Sequence, residues 1–260
     1  MHATGQAEAK YRRCTMPNTT MTPMIVAHRG ASKTCRENTL DAFVEARRQG
    51  AAMAELDVRR TVDGALIVHH DPSIVGLGAI SGRRQEELPE YVPTLSEALN
   101  ACRGMQVNIE IKNDRSEPDF DQSDSVAASV VALLDERGDG DMMLISSFRF
   151  DTIDAVLRLN ATLRTGFLVA RSPLSSLRLK ALIHRTAAAG HVALHPHHRG
   201  VTRRMCEIAH DVGLTVNTWT VDDPARMLVL ARMGVDAVIT NVPSVAVDSF
   251  RNDQLRRRHE

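Results

Sequence analysis

Short apolar runs alternate with amphipathic segments along most of this 260-residue chain, and the alternation limits the folds it can adopt. The short runs favour strands and the longer segments favour helices. Gly213 and Gly234 directly follow two helical segments, a common position for a helix end. Eight strand–helix units predict a parallel sheet with crossover helices. The predicted strands are residues 24–28, 52–58, 65–69, 106–111, 142–147, 163–169, 191–195, 214–219 and 235–240. The predicted helices are residues 39–49, 94–102, 124–137, 150–159, 174–189, 201–212, 224–233 and 242–250.

An open doubly wound sheet and a closed barrel both fit this alternation. No G-x-G-x-x-G sequence follows the first predicted strand, so the best reason to choose the open sheet is missing. We therefore predict an α/β fold, a (β/α)8 TIM barrel over residues 24–250. Residues 71–93 interrupt the alternation and predict a small insertion after the second strand region. We expect a flexible leader at residues 1–23 and a charged tail at residues 251–260.

Composition narrows the possible functions. Lys and Arg total 32, as do Asp and Glu, so no overall positive charge favours nucleic acid. Aromatic residues make up 3%, too few for platforms that stack single-stranded bases. No apolar run of about 18 residues predicts a membrane span. The cysteines lack C-x-x-C spacing, which indicates free thiols in a reducing cytoplasm. They are Cys14, Cys35, Cys102 and Cys206.

Acidic residues occupy one face of two predicted strands. Glu55 and Asp57 are two residues apart, so their side chains point the same way. Glu110 has the same place in the alternating run V-N-I-E-I-K at residues 107–112. A polar face on a buried strand is costly unless it is used, and three carboxylates favour Mg²⁺ or Ca²⁺ over zinc. The alternative is that these acids form ion pairs with Arg29, Arg59 or Lys112.

Two histidines stand at the ends of predicted strands. His28 precedes Arg29, a permanent cation whose forked donors fit phosphate oxygens. His70 precedes Asp71, which could orient its ring, although His69 is an alternative active histidine. Histidine exchanges protons near neutral pH. Together with Glu55 and Asp57, these residues supply two proton carriers, two hard oxygen ligands and one fixed cation, which is the set that phosphodiester hydrolysis needs.

A second histidine cluster and the single tryptophan are further candidates. His195, His197 and His198 could form a zinc site, but a solvated loop is the simpler interpretation because no further ligand has usable spacing. Trp219 ends a predicted strand, so its ring either lines the barrel mouth or packs at the rim.

An ordered series of motifs from about residue 24 to 247 resembles the glycerophosphodiester phosphodiesterase family. H-R-G matches residues 28–30, E-x-D-V residues 55–58, T-x-D-G residues 61–64, H-D-P residues 70–72, I-E-I-K residues 109–112 and W-T-V residues 219–221. The segment G-V-D-A-V-I-T-N-V-P at residues 234–243 is similar to the family's G-V-D-x-I-x-T-D-x-P.

The resemblance implies a (β/α)8 barrel that hydrolyses glycerophosphodiesters to glycerol 3-phosphate and an alcohol. It implies acid and base roles for His28 and His70, and phosphate contacts from Arg29 and Lys112. It also implies a divalent cation, Mg²⁺ or Ca²⁺. The residues expected to hold that cation are Glu55, Asp57 and Glu110.

Three positions depart from the family pattern. Arg36 replaces the proline of P-E-N-T, which we expect to loosen that turn. Asn241 replaces an aspartate, and residues 73–78 replace the R-T-T that follows H-D-P. The last difference leaves two rivals open, a phospholipase D-like barrel acting on lysophospholipid or sphingolipid and a non-catalytic barrel that binds phosphodiesters.

Overall fold

The computed structural model describes residues 22–170 and 176–258. The strands are β1 (Met24–His28), β2 (Met53–Arg60), β3 (Leu66–Val68), β4 (Ser73–Ile74), β5 (Gly78–Ala79), β6 (Gln106–Ile111), β7 (Met143–Ser147), β8 (Arg164–Val169), β9 (Ala193–Pro196), β10 (Thr215–Thr218) and β11 (Ala237–Thr240). The helices are α1 (Leu40–Arg48), α2 (Leu95–Ala101), α3 (Ser125–Arg137), α4 (Phe150–Leu159), α5 (Ser176–Ala188), α6 (Arg203–Asp211), α7 (Pro224–Met233) and α8 (Pro243–Arg257).

Eight parallel strands form a closed barrel. The main sheet contains nine strands, and β3 is the one that runs antiparallel. The other eight close into a ring because β1 pairs in parallel with both β2 and β11. Helices follow these strands as crossover connections, so the predicted (β/α)8 barrel is confirmed. Among the helices in the described ranges, none is long and apolar enough to cross a lipid bilayer.

Successive side chains on β6 point alternately toward the helix layer and into the barrel interior. Val107, Ile109 and Ile111 are at most 1% exposed and belong to the apolar core beneath the first helices. The residues between them point into the barrel, as the alternating sequence predicted. The polar members therefore reach the inside of the barrel rather than the helix layer.

The run at residues 65–69 does form a strand, but it lies outside the barrel. β3 pairs antiparallel with the end of β2, with Val68 opposite Val58. The chain therefore turns back toward the barrel mouth, and the backbone N–H of His69 donates to the carbonyl of Asp57. This reversal, rather than a barrel strand, brings His70 to the catalytic end.

The predicted insertion follows directly. It contains the β4–β5 hairpin and short 3₁₀ turns, and Ile74 and Ile80 pack on Ile67 of β3 in a small apolar cluster. At the chain end, α8 continues to Arg257, so most of the predicted tail is helical. The predicted leader lies outside the described residues except for positions 22 and 23.

Helix caps fix the loops at the barrel mouth. Thr39 accepts a hydrogen bond from the N–H of Ala42 and so begins α1. Asp223 accepts from two N–H groups of α7, whose first residue is Pro224. Because α1 follows β1 and α7 follows β10, these caps restrict the loops that follow two barrel strands.

Candidate active site

A pocket of about 160 Å³ opens at the carboxyl ends of the barrel strands. This is the end at which barrel enzymes place their catalytic groups. Both candidate histidines, two of the three acids and both cations expected to contact phosphate line this one pocket. The lining residues are His28, Arg29, Glu55, His70, Asn108, Glu110, Lys112, Phe148, Leu168, Trp219 and Ile239.

Three carboxylates converge beside this pocket, and two of them line it. Asp57 of β2 lies directly opposite Glu110 of β6, and Glu55 lies one inward position before Asp57. One oxygen from each acid lies within 4.8 Å of the others, and all three residues are buried. Within the described part of the chain, this is the one group of His, Cys, Asp and Glu side chains that could hold a metal ion.

The buried acids are only partly neutralised by their neighbours. Burial, then Asp57 and Glu110, raises the pKa of Glu55 well above its usual value. Burial also raises the pKa of Glu110, although Lys112 opposes it from 2.8 Å. For Asp57, burial alone would raise the pKa, but Lys112 and Arg29 together bring it below its usual value.

The acid cluster fits a hard divalent cation. Oε2 of Glu55 accepts the backbone N–H of Arg29 at 2.9 Å, but the buried Oε1 has no hydrogen-bond partner within the described residues. An unpartnered carboxylate oxygen is costly unless a cation binds it. The ion pairs of the alternative interpretation are also present, since Lys112 lies 3.6 Å and Arg29 3.2 Å from the carboxylate of Asp57.

The two histidines are held by different partners. Nδ1 of His28 lies 2.7 Å from Oδ1 of Asn241, and Nδ1 of His70 lies 2.7 Å from Oδ1 of Asp71. Burial, followed by Arg29, lowers the pKa of His28. Burial also lowers the pKa of His70, although the charge of Asp57 and the hydrogen bond to Asp71 oppose this shift.

His69 faces a different cavity. Its Nδ1 contacts the backbone carbonyl of Asp71 at 2.9 Å. It lines a neighbouring cavity with Tyr91, while His70 lines both that cavity and the pocket that contains His28. The geometry therefore favours His70 over His69 as the second proton carrier.

Arg29 has a strained backbone and a fixed side chain. Its φ is 55°, an unusual value for a residue other than glycine. Glu37 accepts from Nη1 at 2.9 Å, and Asp57 lies 3.2 Å from Nε. The guanidinium is thereby held at the pocket wall between two carboxylates.

The deciding comparison is with families of known proteins. The model of the glycerophosphoryl diester phosphodiesterase family matches residues 28–245. This chain belongs to that family. The resemblance inferred from its motifs is therefore confirmed, and the chain is a phosphoric diester hydrolase.

Relatives and a solved structure agree with the family match. A glycerophosphodiester phosphodiesterase of Caldanaerobacter subterraneus is 28% identical over 255 residues, covering 89% of this chain and 99% of the relative. A probable glycerophosphodiester phosphodiesterase 2 of Mycobacterium tuberculosis is 30% identical over 239 residues, covering 84% and 87%. The structure of an Oleispira antarctica phosphodiesterase in complex with the product sn-glycerol-3-phosphate has a TM-score of 0.78 and 25% identity, covering 88% and 97%.

Two polar residues of this phosphodiesterase were missed as site residues, although a motif contained them. Asn38 donates from Nδ2 to Oδ2 of Asp57 at 2.8 Å, and Glu37 holds Arg29 as described above. Both lie in the R-E-N-T run at residues 36–39, and its similarity to the family's P-E-N-T is the sequence signal for them. The expected loosening at Arg36 is not seen, because Thr39 donates to the Arg36 carbonyl at 2.7 Å and the Arg36 guanidinium lies 3.5 Å from the Tyr91 ring centre.

Trp219 lines the pocket of this phosphodiesterase and is also packed at the rim. Its Nε1 donates to the carbonyl of His195 at 2.8 Å. Its ring makes edge contacts with Phe148 and His197, at centroid distances of 5.5 and 5.2 Å. Phe148 was a further missed residue, and its sequence context gave no signal for it.

The second histidine cluster divides between core and rim. His195 is 1% exposed, and burial lowers its pKa to about 3. Its Nε2 lies 3.0 Å from the amide of Asn217. His197 and His198 instead lie beside each other at the rim, with ring centres 4.7 Å apart.

Proposed function

We propose that this phosphodiesterase hydrolyses glycerophosphodiesters to glycerol 3-phosphate and an alcohol. The observation that carries the proposal is that one pocket contains His28, His70 and the unpartnered carboxylate oxygen of Glu55. The substrate is supported by the related Oleispira antarctica phosphodiesterase, whose structure contains sn-glycerol-3-phosphate as product. Balanced charge and three free thiols, at Cys35, Cys102 and Cys206, support a small-molecule substrate and a cytoplasmic location.

Glu55, Asp57 and Glu110 would hold a divalent cation, Mg²⁺ or Ca²⁺. When bound, such an ion would polarise a phosphate oxygen and offset the charge that builds during hydrolysis. The three buried acids need this compensation, since Lys112 and Arg29 leave Oε1 of Glu55 without a hydrogen-bond partner among residues 22–170 and 176–258.

Arg29 and Lys112 supply the fixed positive charge of the site. Arg29 is held by Glu37 and Asp57, and Lys112 by Glu110 and Asp57. Both cations line the pocket. Because their positions are set before substrate binds, they can stabilise charge on the phosphoryl oxygens without reorganising. Trp219 would pack against the carbon skeleton of the substrate.

The two histidines divide the proton transfers. One takes a proton from the attacking hydroxyl, and the other gives a proton to the alcohol oxygen that leaves phosphorus. Their Nδ1 atoms are occupied by Asn241 and Asp71, so the Nε2 atoms are the ones available to the substrate. The attacking hydroxyl belongs either to water or to the glycerol 2-carbon. In the second case a cyclic phosphate forms as the alcohol leaves, and water then opens it to give glycerol 3-phosphate.

A substrate panel with matched histidine variants tests this function. The release of glycerol 3-phosphate is measured from glycerophosphocholine, glycerophosphoethanolamine and glycerophosphoglycerol, with lysophosphatidylcholine as the lipid comparison. We expect His28→Gln and His70→Gln to lower kcat by about 100-fold or more. His69→Gln is the control and should retain near-normal kcat. Equal losses at His69 and His70, or no product from any glycerophosphodiester, would contradict the proposal.

A further inference from the structure

A series of hydrogen-bonded side chains connects His28 to the loop after β10, outside the pocket. Oδ1 of Asn241 lies 2.7 Å from Nδ1 of His28 and 2.8 Å from Oγ of Ser32. The other end of the same amide, Nδ2, donates to Oδ2 of Asp222 at 2.7 Å. The backbone N–H of Asn241 donates to Oδ1 of Asp222 at 2.8 Å. Asp222 thus accepts hydrogen bonds from both the side-chain and the backbone N–H groups of Asn241, and it does not line the pocket.

The carboxylate of Asp222 determines which way the Asn241 amide faces. An ionised carboxylate only accepts hydrogen bonds, so the NH₂ end of the amide must point at Asp222. A flipped amide would bring its carbonyl oxygen against the carboxylate of Asp222, where neither group has a proton to donate. Asp222 itself is held in place by the hydroxyl of Thr240, which donates to Oδ1 at 3.0 Å.

The amide orientation in turn fixes the proton on His28. With the carbonyl oxygen of Asn241 facing the ring, Nδ1 of His28 must be the donor. A neutral imidazole carries one ring proton, so Nε2 then keeps its lone pair. Within the described residues Nε2 has no hydrogen-bond partner, and His28 lines the pocket.

We propose that Asp222 is a positioning residue that acts through Asn241 to hold His28 as the Nδ1–H tautomer, so that Nε2 receives the proton of the attacking hydroxyl. The tautomer follows from the hydrogen-bond geometry, while the proton transfer rests on the proposed function. In that transfer the attacking oxygen gives its proton to Nε2 of His28 as it forms the bond to phosphorus. The leaving oxygen takes a proton from His70 as its bond to phosphorus breaks, and solvent returns both rings to their starting state.

The tautomer can be read without any substrate. Nitrogen-15 NMR of the full-length protein, at a pH where the ring is neutral, distinguishes protonated from unprotonated ring nitrogens. The His28 signals are assigned by their loss in His28→Gln. We expect protonated Nδ1 and unprotonated Nε2 in the wild type. A wild-type ring protonated on Nε2 would overturn the proposal, whatever the enzyme's activity.

Exchanging the side chains at positions 222 and 241 tests the role of Asp222 in the reaction. Asp222→Asn removes the charge that orients the amide, so kcat should fall by about tenfold or more while KM changes little. Asn241→Asp places two carboxylates against each other and should also lower kcat. The double variant Asn241→Asp with Asp222→Asn restores a donor at 222 and an acceptor at 241, so it should recover most of the lost kcat.

The adjacent acid supplies a control. Asp223→Asn removes the same charge one residue away, and asparagine still caps α7, so kcat should stay near normal. Rates are measured on a generic phosphodiester such as bis(p-nitrophenyl) phosphate, which keeps the test separate from the identity of the natural substrate. An Asp222→Asn variant with unchanged kcat and unchanged tautomer, or a double variant no better than the single variants, would refute the role. If Asp222→Asn does not fold, the proposal is tested by the tautomer of His28 in the wild type and by the kcat of the double variant.

Discussion

The guanidinium of Arg59 holds the backbone carbonyl of His70 with two hydrogen bonds, from Nε at 2.8 Å and from Nη2 at 2.5 Å. The Arg59 side chain is fully buried, and Glu117 and Asp119 lie within 3.0 and 2.5 Å of its terminal nitrogens. One side chain of β2 therefore ties together the His70 segment and the loop between β6 and α3.

Replacing Arg59 should destabilise the protein and displace His70. Arg59→Met leaves two carboxylates without their buried partner, so the free energy of unfolding should fall by about 3 kcal/mol, the lower end for a broken buried pair because Glu117 is partly exposed. The free energy is measured by urea unfolding, and kcat should fall with it. Arg84→Met is the control, because that exposed ion pair should contribute under about 0.5 kcal/mol. Equal effects of the two substitutions would contradict the role of Arg59.

Glu55→Gln should stabilise the metal-free protein and abolish its stabilisation by metal. Burial and two neighbouring acids raise the pKa of Glu55, so ionising this side chain costs folded-state stability as the pH rises above its usual value. Glutamine has a similar shape and no charge. Thermal unfolding is followed with EDTA and then with Mg²⁺ or Ca²⁺, and saturation at 100 times the dissociation constant should add about 2.7 kcal/mol to the wild type only. The same metal-dependent gain in unfolding free energy in the wild type and in Glu55→Gln would show that the ion binds at another site.

His195 should make the protein less stable in mild acid. Burial lowers the folded-state pKa of His195 to about 3, whereas an unfolded histidine titrates near 6.5. Between these values the unfolded chain binds the extra proton, so stability is lost as the pH falls from 6.5 toward 3. One proton corresponds to about 1.4 kcal/mol per pH unit. His195→Gln should reduce the slope of unfolding free energy against pH by up to that amount. An unchanged slope would show that His195 is not buried in its neutral form.

Gly30 should tolerate no side chain. Its φ is 80°, and an added Cβ would lie 2.6 Å from the carbonyl carbon of Ala42 in α1. Gly30→Ala should therefore cost about 2–5 kcal/mol from left-handed strain and overpacking together. Gly64→Ala separates the two causes, because its φ is 88° but nothing lies within 4 Å of the added atom. Chemical unfolding of both variants should show the larger loss at Gly30.

The local sequence pattern was sufficient to predict most of the fold and the cluster of three acids. The two-residue spacing of Glu55 and Asp57 determines a shared face, and neighbouring strands in a parallel barrel then bring Glu110 opposite Asp57. These relationships depend on strand periodicity and chain order. Both can be read along the sequence without knowing how distant loops approach each other.

Long-range contacts account for what the sequence did not provide. Asn241 and His28 are 213 residues apart, and only closure of the barrel brings them together. His70 reaches the pocket because β3 reverses direction, whereas the apolar run alone cannot distinguish a barrel strand from an antiparallel one. Asn38 contacts Asp57 from a backbone with a φ of 57°, a left-handed conformation that the sequence does not specify.

Metal-dependent release of glycerol 3-phosphate tests the central claim most directly. The purified protein is treated with EDTA, assayed on glycerophosphodiesters, and assayed again after Mg²⁺ or Ca²⁺ is restored. We predict that activity disappears on chelation, returns with added metal, and does not return in Glu55→Gln. Full activity after thorough chelation, or metal-restored activity in Glu55→Gln equal to that of the wild type, would contradict the account.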